Sequence, residues 1–311
     1  MKEIELSLVI PCYNEEQTIN IFYNETCKIL QSINLEEVSE FIFVNDGSSD
    51  KTLEILRNLS KNDFRVHYIS FSRNFGKESA LYAGLTKASG NFTAILDADM
   101  QDPPSLLPKM YSCVKSGDFD CAATRRSTRK NEPIIRSFFA RLFYKIMRTL
   151  SNVQIVDGAR DYRLMNLNYK NSVLSLHERN RFTKGIFPWV GYETKYFEYE
   201  NIERSAGETK WSFWKLFLYS IDGIIGFSTK PLALSILLGF FGIFISFSMI
   251  IFIIIRKLMF GDPVQGWASL VCIILFTSSV QSLLLGIVGL YISKIYLEVK
   301  ERPIYIIKEE N

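Results

Sequence analysis

FTAILDADMQDPP (Phe92–Pro104) is a short apolar run that stops on three carboxylates, Asp97, Asp99 and Asp102. Its first part, Phe92–Leu96, has the length and composition of a buried strand, and the polar cluster marks where that strand ends. The same pattern recurs upstream. LSLVIP (Leu6–Pro11) runs into CYNEE, EFIFVN (Glu40–Asn45) into NDGSSD, and VHYIS (Val66–Ser70) precedes SRNFGKE. Between these runs, apolar residues fall at helical spacing over 17–33, 50–59 and 76–88, with Asp50 in the N-cap position. Strand–helix–strand alternation predicts an α/β domain with a mostly parallel, Rossmann-like sheet covered on both faces. Ligands in such sheets bind beyond the carboxyl ends of the strands, so the four polar clusters are expected to meet at one edge.

The C-terminal third has a different character. No charged residue lies between Lys230 and Arg256, or between Asp262 and Lys294. Each window exceeds the ~20 apolar residues that cross a hydrocarbon core. The joining segment RKLMFGDPVQG is short, which makes the two spans a transmembrane hairpin with both flanks on one side. Lys215, Lys230, Lys294, Lys300, Arg302 and Lys308 crowd those flanks, while the tip holds only Arg256, Lys257 and Asp262. This bias predicts a multi-pass protein of the cell inner or plasma membrane with both termini cytoplasmic. MKEIELSLVI, interrupted by Glu3 and Glu5, has no signal-peptide apolar region. The expected organisation is a cytosolic α/β domain over residues 1–205, a juxtamembrane amphipathic segment over 206–230, two transmembrane helices within 231–293 (232–255 and 267–293), and a cytoplasmic tail over 294–311.

Charge and cysteine content narrow the function. With 36 basic and 33 acidic residues, the net charge of +3 builds no general field for nucleic acid. The five cysteines are scattered without a CxxC pair, which argues against a zinc site or a disulfide framework. The chemistry therefore centres on oxygen ligands. Asp97 and Asp99, two residues apart, can share one Mg²⁺ or Mn²⁺ with diphosphate oxygens, and Gln101 can add its amide oxygen. Such a cation would neutralise charge on a departing nucleoside diphosphate.

The set Pro11–Glu15, Asn45–Asp50 and Asp97–Pro104 resembles the family 2 glycosyltransferases of the GT-A fold. It is more closely similar to the polyprenyl-phosphate glycosyltransferases, which include dolichol-phosphate mannose synthases and bactoprenol glucosyltransferases. DYRLM (Asp161–Met165), GETKWSFWKL, DGIIGFSTKPL and the two C-terminal spans extend the likeness over nearly the whole chain. The resemblance implies that Pro11, Tyr13 and Glu15 line a nucleoside pocket, with Glu15 on the ribose hydroxyls. It places Asp46 on the base edge, with Gly47 allowing the turn beside it. Lys77 would approach the diphosphate, and Asp97 would serve both the nucleotide sugar and the metal. Asp46 and Ser48 could instead be simple turn residues, and Lys77 a solvated helix-start lysine.

The acceptor implied by the resemblance is a lipid monophosphate, already anionic at neutral pH. Asp161 is the implied catalytic carboxylate, positioning that phosphate or taking its remaining proton, with Asp157 as the neighbouring alternative. Direct attack by the phosphate implies inversion. Arg125, Arg136 and Arg204 are the implied lipid-phosphate ligands, in competition with Arg126, Arg129 and Arg141. The arginines could instead form a basic face drawn to anionic headgroups. The expected donor is UDP-glucose or UDP-N-acetylglucosamine and the expected acceptor undecaprenyl phosphate, giving a lipid-linked sugar for cell-surface glycan modification by a homo-oligomeric enzyme. The rivals are a dolichyl-phosphate mannosyltransferase using GDP-mannose and a non-catalytic membrane scaffold with a degenerate transferase domain. A processive transferase is disfavoured, because no QxxRW-type motif occurs.

Overall fold

The computed structural model describes residues 3–127, 156–199, 221, 223–260 and 266–311. Strand β1 (Leu6–Cys12) opens the fold and alternates strictly. Leu6, Leu8, Ile10 and Cys12 enter one buried cluster, and Val9 enters another on the opposite face. Strand β2 (Ser39–Asn45) does the same, with Phe41 and Phe43 on the first side and Ile42 and Val44 on the second. Strands buried on both faces read as continuous apolar runs, which is why both are visible in the sequence.

Helices α1 (Ile19–Ser32) and α4 (Leu107–Lys115) cover the first face through Phe22, Leu30, Leu107 and Met110. Helix α3 (Lys77–Lys87) covers the second through Ala80, Leu81, Ala83 and Leu85. It packs closely because Gly84 lies against β1, where an added Cβ would fall 2.3 Å from Val9 Cγ1. Helix α2 (Thr52–Asn62) leads into β3 (Val66–Phe71). Strand β4 (Phe92–Ile95) follows α3. Asp50, expected as the N-cap of α2, sits one residue early. Lys51 takes the cap position, and Asp50 instead accepts the Thr52 N–H at 3.0 Å through Oδ1.

Among the described residues the sheet has eight strands in the order β7-β5-β6-β4-β1-β2-β3-β8. Strands β1, β2, β3 and β4 are mutually parallel, with Leu6 opposite both Ser39 and Phe92. Strands β5 (Cys121–Arg126) and β7 (Thr194–Tyr199) also pair in parallel. Between β4 and β5 runs β6 (Ala159–Asn166), antiparallel to both. The β4–β6 register sets Ile95 opposite Arg163. Continued by two residues, it sets Asp97 opposite Asp161. The run Ala159–Asn166 carries Arg160, Asp161 and Arg163 and lacks an apolar signature, so the sequence pattern does not announce it as a strand.

The remaining elements tie the C-terminus to this sheet. After β6 come α5 (Leu167–Ser175) and α6 (Thr183–Trp189). Helices α7 (Lys230–Phe260) and α8 (Trp267–Val299) are long and apolar enough to cross a bilayer. Phe240, Phe244, Phe252, Phe276 and Leu285 stand exposed along them. The last turns of α8 are polar and dock on the α/β domain. Lys294 Nζ donates to Asn180 Oδ1 at 3.0 Å, and Glu298 Oε1 accepts the Arg179 and Asn180 amides at 2.9 and 3.0 Å.

The segment expected as a cytoplasmic tail over 294–311 returns to the sheet. Its end forms β8 (Ile307–Glu310), antiparallel on the edge of β3. The Arg57 guanidinium grips Glu309 by two bonds, and Asn311 Oδ1 accepts the Tyr68 N–H at 2.6 Å. An open strand edge is a row of unpaired backbone groups, and β8 satisfies it. Of the implied phosphate ligands, Arg136 and Arg204 lie outside the described residues, as do Arg129, Arg141 and most of the juxtamembrane segment.

Candidate active site

The loops after β1 and β2 brace each other. Asn14 N–H donates to Ser48 Oγ at 2.9 Å, Glu15 N–H to Thr52 Oγ1 at 2.9 Å, and Glu16 N–H to Asp50 Oδ2 at 3.2 Å. The reverse bonds run from Ser49 N–H to Asn14 Oδ1 and from Lys51 N–H to Glu16 Oε2. The residues of NDGSSD therefore hold the CYNEE loop in place. Pro11, next to last in β1, is half-buried, Tyr13 is exposed beyond the strand, and Glu15 Oε2 accepts the Thr18 hydroxyl at 2.9 Å.

Asp46 is 3% exposed and points into the next loop. Its Oδ1 accepts the Phe75 N–H at 2.6 Å, and its Oδ2 accepts the Gly76 N–H at 2.9 Å. Burial pushes its carboxyl above the usual range, against the pull of those two amides. The expected contact with a base edge would have to use acceptor capacity left over from this clamp. Gly47 has φ +64°, and a Cβ there would fall 2.4 Å from Arg73 C, so only glycine fits.

The clamp fixes the start of α3, and Lys77 reaches from there across the strand ends. Its ammonium lies 2.8 Å from the Asp97 carboxylate and 2.6 Å from Asp161 Oδ2. The residue implied to approach a diphosphate is thus the bridge between the implied metal-binding carboxylate and the implied catalytic one, which come from positions 64 apart in the chain. Burial works against ionisation of Asp161, but the charges of Lys77 and Lys184 overcome it and hold the carboxyl well below its usual range. Burial, with repulsion from Asp161 and Asp102, leaves Asp97 above its usual range despite Lys77. Lys77 itself is held firmly protonated, since the two carboxylates outweigh its burial. Asp157 lies in the turn before β6.

Asp99 Oδ1 accepts the Gln101 N–H at 3.1 Å, closing a turn in which Met100 has φ +59°. Asp97 and Asp99 stand at the open strand edge and are oxygen donors, so they fit a divalent cation whose other ligands come from a diphosphate. Among the described residues no three His, Cys, Asp or Glu side chains form a cage that would hold a metal by themselves. Gln101 Oε1 faces the Arg160 guanidinium at 3.4 Å, so the amide oxygen would have to turn away to become a ligand.

A second charge cluster stands behind the first, and the sequence reading had no signal for it. Asp102 is buried, with Oδ1 accepting from Arg160 Nε at 3.0 Å and from the Tyr199 hydroxyl. Burial, and then the charge of Asp102, push the Tyr199 phenol up to about 12. This triad joins the carboxyl ends of the β4 segment and β7 to the start of β6, next to Asp161. Arg163 stacks its guanidinium 3.4 Å from the Phe187 ring centroid and donates to the Arg160 carbonyl, so it supports the strand. Arg125 lies near the end of β5 with Nε 3.8 Å from Glu198 Oε1 and much of its side chain exposed. Lys184, half-buried on α6, is a further cation acting on Asp161.

The arrangement resembles known transferases in sequence as well as in residue chemistry. The family model "Glycosyl transferase family 2" matches residues 7–172. The chain is 41% identical over 308 residues to the SfII prophage-derived bactoprenol glucosyl transferase of Shigella flexneri, covering 99% of each protein. It is 39% identical over 305 residues to the prophage bactoprenol glucosyl transferase homolog of Escherichia coli, covering 98% of this chain and 99% of that one. Among solved structures, glucosyl-3-phosphoglycerate synthase from Mycobacterium tuberculosis in complex with Mn²⁺ and UDP-glucose aligns with a TM-score of 0.45 and 18% identity, over 71% of this chain and 77% of that one. With a sheet edge that gathers Asp46, Lys77, Asp97 and Asp161, and with full-length relatives of this kind, the chain belongs to glycosyl transferase family 2.

Proposed function

We propose that this protein transfers a sugar from a nucleotide sugar, UDP-glucose or UDP-N-acetylglucosamine, to undecaprenyl phosphate at the cytoplasmic face of a membrane. The observation that carries this reading is the meeting of Asp97 and Asp161 on one lysine at the strand ends of a chain that continues into two long apolar helices. The full-length similarity to bactoprenol glucosyl transferases supports the acceptor class. The hairpin reading is supported by the two ends of the helix pair. Lys230 begins α7, and α8 returns the chain to β8 in the same sheet, so both ends lie on the side of the α/β domain.

In this mechanism the braced loop of Pro11, Tyr13 and Glu15 receives the nucleoside, with Asp46 at its base. Asp97 and Asp99 would hold Mg²⁺ or Mn²⁺, with Gln101 as the weakest candidate for a third ligand. The cation, when bound, would neutralise charge on the diphosphate leaving group. Asp161 orients the acceptor phosphate and takes its proton if one remains. The phosphate oxygen forms the new bond to the anomeric carbon as the bond to the diphosphate breaks, which inverts the configuration. Arg125, with Arg136 and Arg204, is assigned to the lipid phosphate. A lipid-linked sugar facing the cytoplasm must then be consumed by another membrane reaction.

The test is transfer of radiolabelled sugar into the organic phase by the purified full-length protein with Mn²⁺ or Mg²⁺. UDP-glucose, UDP-N-acetylglucosamine, UDP-galactose and GDP-mannose are compared on undecaprenyl and dolichyl phosphates. Metal-dependent label from a UDP-sugar on undecaprenyl phosphate is the expected result. Label only from GDP-mannose on dolichyl phosphate would select the mannosyltransferase reading. No label from any pair, with nucleotide binding intact, would point to a rarer sugar or another acceptor, and no nucleotide binding either would favour the non-catalytic scaffold.

A further inference from the structure

Lys77 is more than a residue near a phosphate. Its ammonium touches Asp97 at 2.8 Å and Asp161 at 2.6 Å, and its backbone is pinned because Asp46 holds the preceding Phe75 and Gly76 amides. The side chain is therefore the movable part of a fixed residue. It occupies the carboxylate that a divalent cation would need, and two cations cannot share one carboxylate at that spacing without strong repulsion. Asp97, Asp99 and Asp161 with Lys77 sum to two negative charges, one fewer than the carboxylates alone would offer a bare dication.

We infer that Lys77 is an internal stand-in for the metal, so that a divalent cation gains Asp97 only when a diphosphate arrives to take the lysine. The inference rests on the glycosyl-transfer reading only for the existence of the metal site. It makes metal and nucleotide bind as one unit, and it keeps Asp97 and Asp161 partly neutralised while the site waits. The clamp from Asp46 means that the residue next to the nucleoside pocket also sets where the lysine starts.

The experiment measures Mn²⁺ binding by electron paramagnetic resonance on the full-length protein in detergent micelles, first without nucleotide and then with UDP. Lys77→Met should bind Mn²⁺ about tenfold or more tightly than wild type when nucleotide is absent. UDP should raise wild-type affinity towards that of the variant. Lys184→Met, which removes a nearby charge that makes no contact with Asp97, should stay within about threefold of wild type. Equal Mn²⁺ affinity in wild type and Lys77→Met overturns the inference, as does an equal gain in Lys184→Met. If Lys77→Met does not fold, Lys77→Gln replaces it in the same measurement, and equal Mn²⁺ affinity in wild type and Lys77→Gln overturns the inference. Binding that ignores Lys77 sinks this exchange alone; Mn²⁺ binding absent from every protein, with and without UDP, would sink the metal-dependent reading as well.

Discussion

After β1 and β2 the chain is braced by hydrogen bonds that backbone amides of one loop donate to Ser48, Asp50 and Thr52 of the other. After β4 and before β6 it is held by charge, with Lys77 between Asp97 and Asp161 and Arg160 on Asp102. Both halves belong to one sheet edge and differ in what they can do. A hydrogen-bonded brace has one good geometry, which suits the proposed nucleoside pocket. A cluster of charges on flexible side chains can exchange partners at small cost, which suits the proposed place of diphosphate departure and phosphate arrival.

The sharpest way to break that comparison is at the charged half. Asp161→Asn should lower turnover about a thousandfold while nucleotide binding by calorimetry stays near wild type. A loss of nucleotide binding instead would move Asp161 to the donor pocket and erase the division. Asp99→Asn should lower turnover about a hundredfold and weaken Mn²⁺ binding in the presence of UDP. Full turnover in that variant would remove the metal from the mechanism.

The braced half should respond in a different currency. Thr52→Val removes the acceptor of the Glu15 amide and should cost about 1–2 kcal/mol of stability in denaturant unfolding. It should raise KM for the nucleotide sugar several-fold while leaving kcat unchanged. A fall in kcat with KM unchanged would show that the brace acts on the chemistry.

The smallest effect is the pH dependence of stability. The folded pKa of Asp161 is depressed below its ordinary value of 3.8, so its contribution is present above that pH and is lost as pH falls towards the folded value. Wild type should therefore lose thermal stability faster than Asp161→Asn between about pH 4 and pH 2. Parallel acid limbs would show that Lys77 does not pair with Asp161 in solution.

Much of this edge could be read before any fold was known. Strands β1 to β4 are apolar on both faces, and each polar cluster follows a strand, so the meeting of the loops follows from one topological rule. The roles proposed for Asp97, Asp99 and Asp161 rest on their motifs and on the family resemblance those motifs carry. Ser48 illustrates the limit: as a turn residue it is legible, but its bond to Asn14 depends on the adjacency of β1 and β2. Asp102, Arg160 and Tyr199 meet from positions far apart in the chain, and none has a local pattern to betray the others.

Sequence alone determined which segments are apolar enough to be buried or to enter a membrane, and which carboxylates end a strand, because both are properties of neighbouring residues. Tertiary structure decided that β6 enters the sheet antiparallel and brings Asp161 opposite Asp97, that Lys77 closes the gap between them, and that the last residues return as β8 to cover β3. Charged strands such as Ala159–Asn166 and Ile307–Glu310 gain their order from a partner edge that offers unpaired backbone groups. That edge exists only once the rest of the sheet has formed.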